Sequence, residues 1–135
     1  MAIQINFGDS LGADFAIDAF VIHVPKGIRT KEELFDKLTQ AGEFPPYFGR
    51  NWDALLDCLR DFEWIPARKI AIIHEDLPLI GHQSECRTYL DILNEAVMDW
   101  SISNPLEGNG TRVLNHEIKV LFPSSVEGFV RHLLS

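Results

Sequence analysis

The chain has 135 residues, enough for one domain around a single core, and its 46% hydrophobic and 24% charged residues are ordinary globular proportions that exclude a disordered or membrane-embedded class. Its 20 acidic residues against 12 basic ones give a formal charge of −8. A nucleic-acid binder needs a cationic face to displace phosphate counterions, and the longest basic cluster is Arg68-Lys69, so direct RNA or DNA binding is not expected, whereas an acidic surface suits a cationic partner.

The start, Met1 to Phe20, carries Asp9, Asp14 and Asp18 without Lys or Arg, and its apolar residues form no continuous run of the signal-peptide kind. Nowhere is there an apolar stretch of about 18 residues, so no membrane span and a cytoplasmic location are expected. Within this segment Ile3 to Phe7 alternates apolar and polar residues, the pattern of an edge strand. Phe20 to Val24 is apolar and β-branched, stops at Pro25, and is predicted to be a buried strand. Thr30 stands three residues before Glu33, a capping box, and Leu34, Phe35 and Leu38 follow at helical spacing, which predicts a first helix over about 30–41 with Gly42 as its stop.

Phe44-Pro45-Pro46-Tyr47-Phe48-Gly49-Arg50 cannot be regular helix, because two prolines fix φ and remove donors, and Gly49 permits an unusual dihedral. Asn51 is placed to cap a second helix, Trp52 to about Phe62, with Leu55, Cys58, Leu59 and Phe62 as its apolar stripe. Lys69 to His74 is a second strand, a third helix is predicted from about Gln83 to Ser101, Asn104 to Asn115 is a loop, and Ile118 to Phe122 and Val126 to Leu134 supply a last strand and helix. This order predicts an α/β fold: a small three-stranded parallel sheet packed with helices, to which the N-terminal segment can add an edge strand, all in one domain over 1–135. Cys58 and Cys86 lie apart in helical segments and are expected to be buried thiols. Asn109-Gly110-Thr111 has the form of a glycosylation sequon and is taken as plain loop.

The stretch from Pro46 to Leu59, Pro-Tyr-Phe-Gly-Arg-Asn-Trp-Asp-Ala-Leu-Leu-Asp-Cys-Leu, resembles the signature of the barstar family of ribonuclease inhibitors: proline, two aromatics, glycine, asparagine, then a helix containing Leu-x-Asp-Cys-Leu. The element order over about 18–122 is similar to that family too, while the two ends lie outside the resemblance. What the resemblance implies is a binding protein and not an enzyme, one that plugs the cationic active site of a basic, barnase-like secreted ribonuclease and needs no cofactor. Carried over residue by residue, the contacts are Tyr47, Phe48, Gly49, Asn51, Asp53 and Asp57. Leu56 stands at a contact position where the family has tryptophan, Arg60 at one held by a small polar residue, and Glu95 on the next helix matches a contact glutamate through little more than Glu-Ala. An immunity or binding module for another basic toxin would use the same acidic and aromatic contacts.

Side-chain chemistry bears on the same residues independently. Asp53 and Asp57 are four apart and share a helix face away from the apolar stripe, where like charges repel unless a partner supplies cations. Asp53 also suits the positive end of the helix dipole, Asn51 also suits the cap, and Tyr47 and Phe48 suit either a contact surface or the core beneath a loop. No catalytic constellation competes: the 5 histidines are scattered. The grouping of His74, Glu75, Asp76 and His82 lacks metal-site spacing and is expected to be loop polarity.

Overall fold

The structure is a computed structural model and describes residues 3–12, 15, 17–102 and 116–135. The β-branched runs form strands at the expected places: β2 is Phe20–Val24, β3 is Lys69–His74 and β4 is Glu117–Phe122. A short strand, β1, covers Asn6–Phe7. The sheet is therefore four-stranded and not three-stranded, in the order β1-β4-β3-β2, with every neighbouring pair parallel. Its edge strand registers Asn6 against Leu121 and Phe7 against Phe122, and Ile5 just before it is buried.

Parallel neighbours require crossovers, and helices supply them. Helix α1, Lys31–Gly42, and α2, Trp52–Leu59, lie between β2 and β3, and α3, Gln83–Ile102, lies between β3 and β4. A 3₁₀ turn at Ser124–Val126 then leads into α4, Glu127–Leu134. The Thr30 hydroxyl accepts from the Glu33 N–H at 3.1 Å, while the Glu33 carboxylate accepts from the Thr30 N–H at 3.2 Å, so the capping box forms. Gly42 is the last residue of α1, and the left-handed residue that follows the helix is Glu43, φ 54°. Gly42 itself lies buried beside the Phe44 ring, where a Cβ would come within 2.6 Å of that ring. Helix α2 ends at Leu59, short of the expected Phe62, which lies beyond the helix with φ 46° but still buries its ring completely. The predicted loop from Asn104 to Asn115 and the sequon within it lie outside the described residues.

The core runs from the sheet into all four helices among the described residues, and both cysteines are buried in it. His74 belongs to that core as the last residue of β3 and is not loop polarity. Its ring stacks on Phe122 with centroids 3.9 Å apart. Nδ1 lies 3.0 Å from the Leu121 carbonyl, which can only accept, so Nδ1 carries the proton and Nε2 accepts from the Tyr89 hydroxyl at 2.7 Å. This neutral tautomer is fully satisfied. Burial pushes the His74 pKa down to about 3, against the opposing pull of the Leu121 carbonyl and with a further small push from His23.

The unfolded chain therefore binds a proton at this residue from about pH 6.5 downward while the folded chain does not, so stability is fully present above that pH and falls as the pH drops toward the folded value. The expected slope from His74 is about 1.4 kcal/mol per pH unit. Denaturant unfolding at a series of pH values tests this: His74→Leu, whatever its own stability, should give a slope shallower by that amount, and an equal slope in both proteins would show that the ring is charged in the fold.

Candidate functional site

The most distinctive surface grows from the loop between α1 and α2. The Phe48 N–H donates to the Pro45 carbonyl at 3.0 Å, closing a turn whose two corner residues are Pro46 and Tyr47. Proline suits the first corner because its fixed φ is the one the turn needs. That geometry decides the fate of the two aromatics. Tyr47 at the corner is 68% exposed, whereas Phe48 is 8% exposed and packs edge-on against Phe35 and Phe44, with centroids 5.5 and 5.1 Å away. Phe44 in turn touches Phe62 and Trp64, and the Trp64 indole donates to the Gly42 carbonyl at 2.9 Å. Phe48 thus supports the loop from beneath instead of offering its ring to solvent.

The chain then turns into α2. Arg50 takes the left-handed conformation, φ 54°, and its guanidinium reaches Asp36 of α1 at 2.6 Å. The unusual dihedral expected at Gly49 therefore falls on Arg50. A Cβ on Gly49 would stand 3.4 Å from Ala54 and from the Asn51 amide, an ordinary contact, so the fold itself does not demand glycine there. Asn51 caps α2 by accepting from the Ala54 N–H at 2.8 Å, and its amide donates to the Gly49 carbonyl at 3.3 Å. The cap and the corner of the loop are thereby joined.

Helix α2 buries Leu55, Cys58 and Leu59. Trp52 and Leu56 are half-buried against the core, with the Trp52 ring 5.2 Å from Phe35. At its far end the Trp100 indole of α3 donates to the Leu59 carbonyl at 2.8 Å, satisfying a group that the helix terminus leaves without an intrahelical partner. The helix is thus fixed at both ends, with Asp53 and Asp57 on its exposed side.

The electrostatics there are uneven. Arg60, just past α2, sits among three carboxylates from two helices: Asp99 at 3.1 Å, Asp57 at 3.6 Å and Glu95 at 3.7 Å. The Tyr47 hydroxyl donates to Asp61 at 3.3 Å, bridging the loop and the end of α2. Loss of water around that hydroxyl, and after it the Asp61 charge, holds the phenol above its ordinary pKa. Beneath the face, burial and then the charges of Asp61 and Asp57 push the Cys58 thiol up to about 11, so it stays a protonated, inert apolar filler. Among the described residues, no group of three or more His, Cys, Asp or Glu side chains could hold a metal ion.

The structure brings Asp57, Arg60 and Glu95 together across α2 and α3, while Tyr47, Gly49, Asn51 and Asp53 are exposed on the adjoining loop and first turn of α2, Leu56 is half-buried and Phe48 lies in the core. Sequence reasoning missed Asp61, Asp99 and Trp100. The only local signal for Asp99 is its spacing of four from Glu95, which puts both on one side of α3. The sequence model of the Barstar family, described as barnase inhibitor, matches residues 19–120. Comparison with curated proteins and with solved structures gives no match.

This geometry separates residues that hold the face from residues that only decorate it. Asn51→Ala should destabilise the isolated protein by about 1 kcal/mol through loss of the cap. Asp57→Ala, at an exposed side chain with one loose ion pair, should change stability by less than about 0.5 kcal/mol. Urea unfolding of both variants measures this, and a larger loss for Asp57→Ala than for Asn51→Ala would contradict the assignment.

Proposed function

Because the chain belongs to the barstar family of barnase inhibitors, we propose that it is an intracellular, cytoplasmic protein that binds a basic, barnase-like secreted ribonuclease and blocks its active site with the acidic face of α2 and the aromatic loop before it. The observation that carries this reading is the exposure of Asp57: its side chain is 76% exposed on a helix that both ends hold rigid. In water such a carboxylate costs the free protein little. Against the cations of a nuclease cleft it stands where a substrate phosphate would, and it arrives already in position, so little ordering entropy is lost on binding. Tyr47, exposed on its proline corner, adds a rigid aromatic contact beside it.

Charge supports the same reading at longer range. A chain of net charge −8 approaching a basic nuclease is attracted over roughly the Debye length, about 8–10 Å at physiological salt, which raises the association rate and makes it salt-dependent. Barnase and barstar are the reference pair for such steering, so this expectation comes with the family and is not independent of it. Family membership also favours inhibition over catalysis, since the family is one of inhibitors.

The test is inhibition of barnase, followed by residual RNA cleavage. Wild-type chain should abolish cleavage at near-stoichiometric amounts. Asp57→Ala should weaken binding by about 2–5 kcal/mol, because truncation leaves the nuclease cations buried and unpaired. Association should slow steeply as salt rises from about 0.05 to 0.5 M. Undiminished cleavage by barnase and by other basic microbial ribonucleases, with capture of a basic toxin of different activity, would replace this reading by that of an immunity module for that toxin.

A further inference from the structure

Arg60 is an odd residue to find on a face meant for a cationic partner, and its geometry gives it a task. Its one firm contact is on α3, where Nη1 meets Asp99 at 3.1 Å; Asp57 at 3.6 Å from Nη2 and Glu95 at 3.7 Å from Nη1 are looser. The Arg60 side chain is 43% exposed, as against 76% for Asp57, so it is the more covered of the two and is still partly open to solvent. The Arg60 N–H also donates to the Leu56 carbonyl at 3.0 Å, closing the last turn of α2, so the side chain springs from an anchored point. Among the described residues, Asp53 has no ion pair.

We infer that Arg60 is a specificity-determining residue of this face: its firm pairing with Asp99 holds the cation toward α3, and Asp53, together with the loosely paired and 76% exposed Asp57, are the α2 carboxylates open to a partner. The inference rests on the ribonuclease-inhibitor reading and names the kind of nuclease that fits. Its cations converge on the α2 carboxylates, and the part of it above the end of α2 is acidic or neutral, since a lysine or arginine placed there would meet the Arg60 guanidinium at close range. A nuclease whose cleft is cationic throughout is repelled at that point.

The experiment measures the rate and equilibrium constants for barnase binding to the wild type and to Arg60→Gln, Arg60→Lys and Asp57→Ala, at low and high salt, with the folding of each variant checked by thermal unfolding. Arg60→Gln should associate faster than wild type, by about tenfold at low salt, with the advantage shrinking as salt is added. Arg60→Lys keeps the charge and should stay close to the wild-type rate, which separates an effect of charge from one of packing. An Arg60→Gln rate equal to or below wild type, with Asp57→Ala still binding weakly, overturns the inference while leaving the ribonuclease reading in place. Absence of binding to barnase and to other basic microbial ribonucleases by every folded variant, wild type included, overturns that reading and the inference with it.

Discussion

Everything on the candidate face depends on burial of one apolar stripe, Leu55, Cys58 and Leu59 of α2. At 3.6 residues per turn, placing these three against the core leaves Asp53 and Asp57 no position except outward and together. Each of the three side chains is at most 4% exposed. Full burial of an aliphatic side chain contributes about 1.5–3 kcal/mol, well above the few tenths of a kcal/mol that two like charges at this spacing cost the helix, so packing wins and the repulsion is carried by the free protein. A partner that supplies cations relieves it.

The rest of the site is a set of supports for that helix. Phe48 fills the space under the loop, the Pro45–Phe48 turn throws Tyr47 outward, Asn51 starts the helix, and the Trp100 indole finishes it from α3. None of these four acts through charge, and none depends on ionic strength. Preorganisation therefore belongs to the apolar and hydrogen-bonded scaffold, while the interaction with a partner is left to exposed carboxylates that cost the isolated fold little. Arg60 connects the two levels, because it is fixed by the end of α2 and yet sets the charge pattern seen from outside.

Much of this was legible in the sequence, and the failures have local causes. Strands β2 and β3 match their expected bounds because β-branched apolar runs ending at proline or acidic residues have few alternatives, and the caps at Thr30 and Asn51 follow from side-chain oxygens reaching the third N–H onward. The end of α2 was not legible: Phe62 continues the apolar period, but the chain leaves the helix at Arg60, where a tertiary contact from Trp100 completes the terminus. Nor could propensity tell Tyr47 from Phe48, since both are aromatic and only the turn geometry sorts them. Strand β1 has two residues, too short for alternation to fix its bounds or to secure a fourth place in the sheet. The partners of Arg60 on α3 lie as far as 39 residues away in sequence, beyond any local pattern.

The central claim is that the partner meets the loop, α2 and the facing part of α3, and no other surface. Backbone amide hydrogen exchange of the chain, alone and saturated with barnase, tests it most directly. We expect added protection confined to residues 44–61 and 91–99, with the β2 edge of the sheet and α4 unchanged. Protection centred on β2 or α4 instead, with 44–61 exchanging as in the free chain, would contradict the account.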